Sequence, residues 1–282
     1  MKLCRYGKPG YEKPGLIDAE GRLRDLSKVV DNIGPKEISP RGLKMLSRVK
    51  PDTLPPVNGS PRFGVPYVGI GKFVAIGLNY SDHAKEAGLP IPAEPIVFMK
   101  ATTSISGPSD DVIQPKNSTK LDWEVELGIV IGSTARYVDE AAALEHVAGY
   151  CIVNDVSERA FQMATTQWDK GKGFDTAGPI GPWLVTTDEI TDPQRLDMAL
   201  DVNGRRMQTG NTRTMVFNCA KIISHVSQYM TLLPGDVICT GTPPGVGLGI
   251  KPNPVFLKPG DVMTLGIQGL GEQRQKVVPY SA

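Results

Sequence analysis

Trp123-Glu124-Val125-Glu126-Leu127-Gly128-Ile129-Val130-Ile131 sets two glutamates at the head of an apolar run. The valines and isoleucines favour a strand. Side chains alternate faces along a strand, so Glu124 and Glu126 are predicted to point the same way. A second strand-like run, Tyr150-Cys151-Ile152-Val153-Asn154-Asp155, ends in a third carboxylate. Carboxylates beside such apolar strands are costly unless paired or bound to a cation. Glu124, Glu126 and Asp155 on neighbouring strands would make an oxygen-donor site for a hard divalent ion, Mg2+ or Mn2+, with waters completing an octahedron. A Glu-x-Glu pair is also the ordinary pattern of a solvated outer face, and these residues alone leave both readings open.

Composition narrows the field. A length of 282 residues suits one large domain, or a small one plus a large one. Hydrophobic content of 40% with 22% charged residues is that of a soluble globular chain. The net charge of +1 gives no reason to expect nucleic acid or a membrane surface as partner. Cys4, Cys151, Cys219 and Cys239 are scattered and form no Cys-x-x-Cys, which argues against a thiolate zinc site. Cys151 and Cys239 lie in apolar runs and read as reduced core residues. The longest apolar stretches are too short to span a bilayer. The segment Met1 to Gly7 lacks the apolar core of a signal peptide, so a cytoplasmic location is expected. With 31 glycines and 24 prolines spread along the chain, many short strands joined by turns are expected, with few long helices.

Residues 1–68 read as a small unit and linker: short strands at 2–5, 15–18 and 22–26, a helix over 41–49, then a proline-rich stretch from Lys50 to Tyr67 that reads as an extended linker. Residues 69–282 read as the main domain. Strands are predicted at 73–76, 96–99, 125–131, 148–153, 183–185, 196–202, 237–239 and 262–267. Helices are predicted at 81–87, 140–145, 158–164 and 214–230, the last with Val216, Ile222, Ile223, Val226 and Met230 on an apolar face. There is no Gly-x-Gly-x-x-Gly in a βαβ setting and no Walker-type loop, so nucleotide binding has little support.

Several other residues can do chemistry. His83 and Glu86, three apart on a short helix that Ser81 or Asp82 can cap and Gly88 can end, share one face. A carboxylate beside an imidazole orients it and raises its basicity, as a general base for water requires. A surface His–Glu pair would look the same. Lys172, in Asp169-Lys170-Gly171-Lys172, could offset an acidic metal site and bind an anion, or be a solvated loop lysine. The turn Thr240 to Gly247 could aim backbone N–H groups at an anion, with Thr242 among its polar side chains, or be a plain tight turn. Lys100, Arg159 and Gln162 could contact substrate or lie on the surface.

Taken in order, Gly77-Leu78-Asn79-Tyr80-Ser81-Asp82-His83, Phe98-Met99-Lys100, Asp122-Trp123-Glu124-Val125-Glu126-Leu127-Gly128, Asn154-Asp155-Val156-Ser157-Glu158-Arg159, Gly171-Lys172-Gly173-Phe174-Asp175 and Thr240-Gly241-Thr242-Pro243 resemble the fumarylacetoacetate hydrolase superfamily over about residues 70–275. The resemblance implies an α+β, β-rich fold, a mixed rolled β-sheet with flanking helices behind a small N-terminal β-containing domain, usually as a homodimer. It implies a metal site at Glu124, Glu126 and Asp155, usually for Mg2+ or Mn2+. It also implies a His83–Glu86 dyad on a lid and Lys172 near a bound acid. One departure is Gly173-Phe174, where many relatives carry a serine after the lysine. The whole chain is similar to the bacterial subgroup that contains hydrolases of 2,4-diketo-3-deoxy sugar acids and sequences labelled ureidoglycolate lyase.

The expected activity is metal-dependent hydrolysis of a C–C bond in a 2,4-diketo acid. The substrate is then a small anionic keto acid, with catalytic roles for His83, Glu86 and Lys172 and substrate contacts from Lys100, Arg159, Gln162 and Thr242. Lyase, decarboxylase and isomerase reactions of the same superfamily stay open. A non-catalytic cation-binding protein is a further alternative.

Overall fold

Runs of β-branched and aromatic residues form most of the long strands, and turn residues punctuate them. The computed structural model describes residues 1–88 and 90–281. Its strands are β1 (Lys2–Tyr6), β2 (Lys13–Ile17), β3 (Leu23–Asp25), β4 (Phe73–Gly77), β5 (Ile96–Lys100), β6 (Ile105–Ser106), β7 (Val112–Ile113), β8 (Leu121–Asp122) and β9 (Val125–Ile131). They continue with β10 (Val147–Asn154), β11 (Ser157–Glu158), β12 (Gly178–Thr186), β13 (Asp197–Val202), β14 (Arg205–Asn211), β15 (Val237–Cys239), β16 (Val262–Ile267) and β17 (Gly271–Val278). The α-helices are α1 (Pro40–Leu46), α2 (Ser81–Ala87), α3 (Arg159–Gln162), α4 (Asp169–Lys172) and α5 (Cys219–Tyr229).

The strands of the large mixed sheet run β3-β2-β1-β12-β10-β9-β15-β4-β5, with β6 beside β12. A second sheet runs β14-β13-β16-β17-β7, and β11 pairs with β8. Strand β9 lies at the centre of the large sheet, antiparallel to both β10 and β15. Its odd residues Val125, Leu127, Ile129 and Ile131 join a core with Met198, Leu200, Met263 and Leu265 of the second sheet and Ile222 and Val226 of α5. Val130, on its other face, joins a core built with Leu3, Leu16, Leu26, Ile33 and Tyr67 from the N-terminal segment. That segment is therefore hydrogen-bonded into the large sheet, with β1 paired to β12.

The strands predicted at 73–76, 96–99, 125–131, 148–153, 237–239 and 262–267 form within a residue or so of their predicted ends. The helix expected over 214–230 is shorter. Asn218 accepts a hydrogen bond from the Lys221 N–H and starts it at Cys219, while Thr212–Thr214 form a 3-10 turn. The predicted helix at 140–145 is a 3-10 helix, Glu140–His146. The predicted helix over 158–164 covers Arg159–Gln162, with the Glu158 side chain as its cap. Helix α2 spans its predicted residues and ends at Gly88, whose φ is 69°. Its N-cap is Tyr80, whose own side chain makes no cap bond, while Asp82 Oδ1 accepts the first-turn N–H of His83 at 3.0 Å.

Candidate active site

Register brings the acidic residues together. Glu126 of β9 stands opposite Val153 of β10, one position from the end of that pairing. The chain continues into Asp155, whose N–H donates to the Glu124 carbonyl at 2.9 Å. Glu124, Glu126 and Asp155 thus lie side by side at the same end of neighbouring strands, all buried. On the other flank of β9, Thr240 and Thr242 follow β15 and donate to the Leu127 and Val125 carbonyls at 3.0 and 2.9 Å. Between them Gly241, with φ of +93°, turns its N–H onto Glu126 Oε2 at 2.7 Å. A Cβ there would sit 2.9 Å from Asn79 Cβ, so close approach and left-handed backbone both favour glycine.

A cavity of about 420 Å³ opens over this floor. Of the residues singled out from the sequence, His83, Glu86, Glu124, Glu126, Arg159, Gln162, Lys172 and Thr242 line it. Asp155 and Lys100 lie behind the lining. Lys100 Nζ bonds Asp155 Oδ1 at 2.5 Å and also the Lys172 carbonyl. Its placement is that of a prop under Asp155. Lys172, buried on α4, bonds Glu124 at 2.7 Å and Asp155 at 2.8 Å. Arg159 pairs with Asp122 at 2.8 Å and Glu124 at 2.6 Å, and donates to Gln162 at 3.0 Å. His83 Nδ1 meets Glu86 Oε2 at 3.0 Å, and Glu86 accepts the Gly245 N–H at 3.0 Å. Phe98 and Trp168 form an aromatic wall, their centroids 5.3 Å apart. Gly77 leaves room for it, since a Cβ there would lie 2.5 Å from the Trp168 ring.

Residues 72–278 match the model for the fumarylacetoacetate (FAA) hydrolase C-terminal family. The chain belongs to the fumarylacetoacetate hydrolase family. A relative from Burkholderia lata, named provisionally as a hydrolase, is 62% identical over 276 residues, 98% of each chain. A fumarylacetoacetate hydrolase from Exiguobacterium antarcticum has a similar structure, with a TM-score of 0.89 and 37% identity over 99% of this chain and all of that one. A 2-hydroxyhepta-2,4-diene-1,7-dioate isomerase from Mycobacterium marinum matches with a TM-score of 0.75 and 31% identity, over the full length of both chains. A maleylpyruvate hydrolase from Sphingobium sp. SYK-6 matches with a TM-score of 0.82 and 29% identity, over 99% of this chain and all of that one. The strand-rich α+β fold is that of the family, and the function is of its hydrolase or isomerase type. No helix among the described residues is long and apolar enough to cross a membrane.

Charge bookkeeping at this family site is uneven. Burial alone would raise the Glu124 carboxyl, but Lys172 and Arg159 outweigh it and hold it well below the usual carboxylate range. Burial lowers Lys172, but Asp155 and Glu124 outweigh it, and the ammonium is held charged. Glu126 differs. Burial, then Asp155 and Glu124, push it well above the usual range. Among the described residues no lysine, arginine or histidine lies within ion-pair distance of it. Glu126 is thus a buried carboxylate without a cation, as expected of a metal ligand. Glu126, Asp155 and Cys239 have ligand atoms within 4.8 Å of one another. Burial, then Glu126, pushes the Cys239 thiol well above its usual range, which sets it apart from the carboxylate oxygens beside it. The donor set suits a hard divalent cation. A second acidic group, Asp18, Glu20 and Asp52, is different in kind, because Arg22 and Arg24 already pair with Asp18 at 2.9 and 2.8 Å.

Asp122 was not singled out from the sequence. It is buried and accepts from Gly247 N at 2.7 Å, Leu248 N at 3.0 Å and Arg159 Nε at 2.8 Å. Its position directly before Trp123-Glu124 was the only available signal. Lys251, which also lines the cavity, carried no motif at all.

Proposed function

We propose that this chain is a divalent-metal-dependent hydrolase that cleaves the C3–C4 bond of a 2,4-diketo acid, giving pyruvate and a second carboxylic acid. The observation that carries the proposal is Glu126, a buried carboxylate lacking a cation, facing the same cavity as an imidazole already oriented by Glu86. A Mg2+ or Mn2+ ion held by Glu124, Glu126 and Asp155 would supply chelation of the substrate's 1-carboxylate and 2-keto oxygen and stabilise negative charge developing there. The maleylpyruvate hydrolase neighbour, named for an acylpyruvate substrate, supports the same substrate class.

The residues of the chain divide the remaining work. Glu86 fixes the His83 ring through Nδ1, which leaves Nε2 free to take a proton from water. The water oxygen bonds to C4 as that proton reaches His83. The C3–C4 bond then breaks, its electron pair passing to C3 as the pyruvate enolate. Protonation of C3 completes pyruvate, and C4 leaves as the carboxylic acid. Lys172 and Arg159 hold Glu124 ionised and keep the floor of the site from repelling an anionic substrate. Gly77, Phe98 and Trp168 limit water around the bound acid.

An isomerase reading draws on the Mycobacterium marinum neighbour, because an enolate is common to both reactions. One panel separates them. Pyruvate release is measured from an acylpyruvate, 2,4-diketo-3-deoxy-L-rhamnonate, oxaloacetate and a 2-hydroxy-diene dioate, each with Mg2+, Mn2+ and EDTA. Metal-dependent pyruvate from a diketo acid is expected, with His83→Ala lowering kcat by about 10²–10⁴-fold. Shift of the diene double bond with inert diketo acids would move the activity to an isomerase.

A further inference from the structure

A general base must be held in place, and α2, which carries His83 and Glu86, is a helix of seven residues. The Glu86 carboxylate has two partners at once. Its Oε2 meets His83 Nδ1 at 3.0 Å, and the Gly245 N–H donates to both of its oxygens, at 3.0 Å to Oε1 and 3.2 Å to Oε2. An ionised carboxylate only accepts, so Nδ1 carries the ring proton and Nε2 is the free nitrogen. The plane of that carboxylate, and with it the direction of the imidazole, is set by a backbone N–H that lies 159 residues further along the chain.

What fixes Gly245 is therefore what fixes the dyad. Its φ is +101°, and a Cβ there would stand 1.9 Å from the Met207 carbonyl, so glycine lets the loop press against β14. Its carbonyl accepts the Trp123 indole N–H at 3.0 Å. Two positions on, a Cβ at Gly247 would lie 3.1 Å from the tip of the same ring. A buried indole N–H needs an acceptor in any core. This one takes the carbonyl of the very residue whose N–H holds Glu86. Asp122 grips the loop too, but it also bonds Arg159, which pairs with Glu124. Trp123 is the separable link. Its ring is fully buried in the core with Val125 and Leu127, while Glu124 and Glu126 line the cavity.

We propose that Trp123 is a positioning residue for the His83–Glu86 pair. Its indole N–H fixes Gly245, Gly245 fixes the Glu86 carboxylate, and that carboxylate keeps the imidazole proton on Nδ1. This rests on the proposed function, in which His83 Nε2 takes a proton from water. Loss of the indole bond leaves Gly245, and so Glu86, less sharply placed. Misplacing a base costs rate more than it costs substrate binding.

The test uses the full-length protein labelled with 15N-histidine, in mildly alkaline buffer. With three histidines in the chain, long-range 1H–15N spectra read the tautomer of each ring, and His83→Ala identifies the His83 signals. The unsubstituted protein is expected to show His83 as one tautomer, with its proton on Nδ1. Trp123→Phe removes the donor and keeps an aromatic ring. It should give a mixture of the two tautomers, with kcat on a diketo acid down about ten-fold and KM within about two-fold. Ile129→Val or Ile129→Ala in the same core, whichever matches its loss of Tm, should change neither. A mixed tautomer in the unsubstituted protein, a Trp123→Phe protein that keeps its tautomer or its kcat, or equal losses in the Ile129 control would overturn the proposal. Should Trp123→Phe not fold, Glu86→Ala tests the same link from its other end. The Trp123 indole N–H signal, identified among the three tryptophans by Trp168→Phe and Trp183→Phe, should then shift while that of Trp183 stays. An unmoved Trp123 signal would equally overturn it. Inert diketo acids with a His83 tautomer that still depends on Trp123 would sink the hydrolase reading and leave the positioning role standing.

Discussion

On the proposed reading, Glu126 balances the stability of the metal-free fold against the binding of a divalent cation. Its folded-state pKa lies above its unfolded value, so the folded chain binds the extra proton. Metal-free stability should therefore fall as pH rises from the ordinary carboxylate range through the raised value. Glu126→Gln removes that ionisation while keeping an oxygen for the Gly241 N–H. In mildly alkaline EDTA buffer the variant should be more stable by about 1 kcal/mol, or about 2–4 °C in Tm. Mn2+ is expected to raise the Tm of the unsubstituted protein, and the variant should lose that increase. Thermal unfolding with and without Mn2+ measures both. A variant that still gains stability from Mn2+ would remove Glu126 from the ligand set.

Elements differ in how plainly their residues announced them. Strands β4, β9, β10, β15 and β16 are legible because Val and Ile mark them and their apolar faces are buried. Strand β17 was missed because its inward positions include Gln273 and Gln275, buried amides that read as surface. Their partners are remote: Gln273 donates to the Ile152 and Gly181 carbonyls at 2.8 and 3.0 Å, and Gln275 accepts from Asn154 at 3.0 Å. The three acidic residues were legible because they end or begin strands a sequence can show. Asp122 was not, since the loop it anchors lies 125 residues further along the chain. That anchoring makes a prediction for the loop as a unit. Asp122→Asn turns an acceptor of several hydrogen bonds, one from a charged arginine, into a half-donor. It should cost about 1.5–3 kcal/mol. Amide hydrogen exchange at Gly247 and Leu248 should speed up well beyond the change elsewhere. Unchanged protection there would mean that the loop holds itself.

At the scale of the molecule, the proline-rich stretch from Lys50 to Tyr67 reads as a linker, yet the chain before it completes the large sheet. Lys2 and Leu3 pair with Val185 and Leu184, covering an edge of β12 that would otherwise present free backbone groups. Leu3, Leu16, Leu26, Ile33, Ile38 and Tyr67 are buried against Phe73, Ala75, Leu184 and Val237 of the main sheet. Arg62 adds an ion pair to Asp110 at 2.5 Å, and the N-terminal ammonium one to Glu189 at 2.8 Å. The apolar contacts dominate, since each such side chain gains about 1.5–3 kcal/mol from burial, against about 1 kcal/mol or less for a partly exposed ion pair. Their sum is of the same size as the 5–15 kcal/mol or so by which a domain is usually stable. A fragment of residues 69–282, although it holds every proposed metal ligand and the dyad, should therefore fail to fold. It is expected to be insoluble, or to show no cooperative thermal transition by circular dichroism. A soluble fragment melting near the full-length Tm would show that the N-terminal segment is an appendage, and that the sheet from β12 to β5 stands without it.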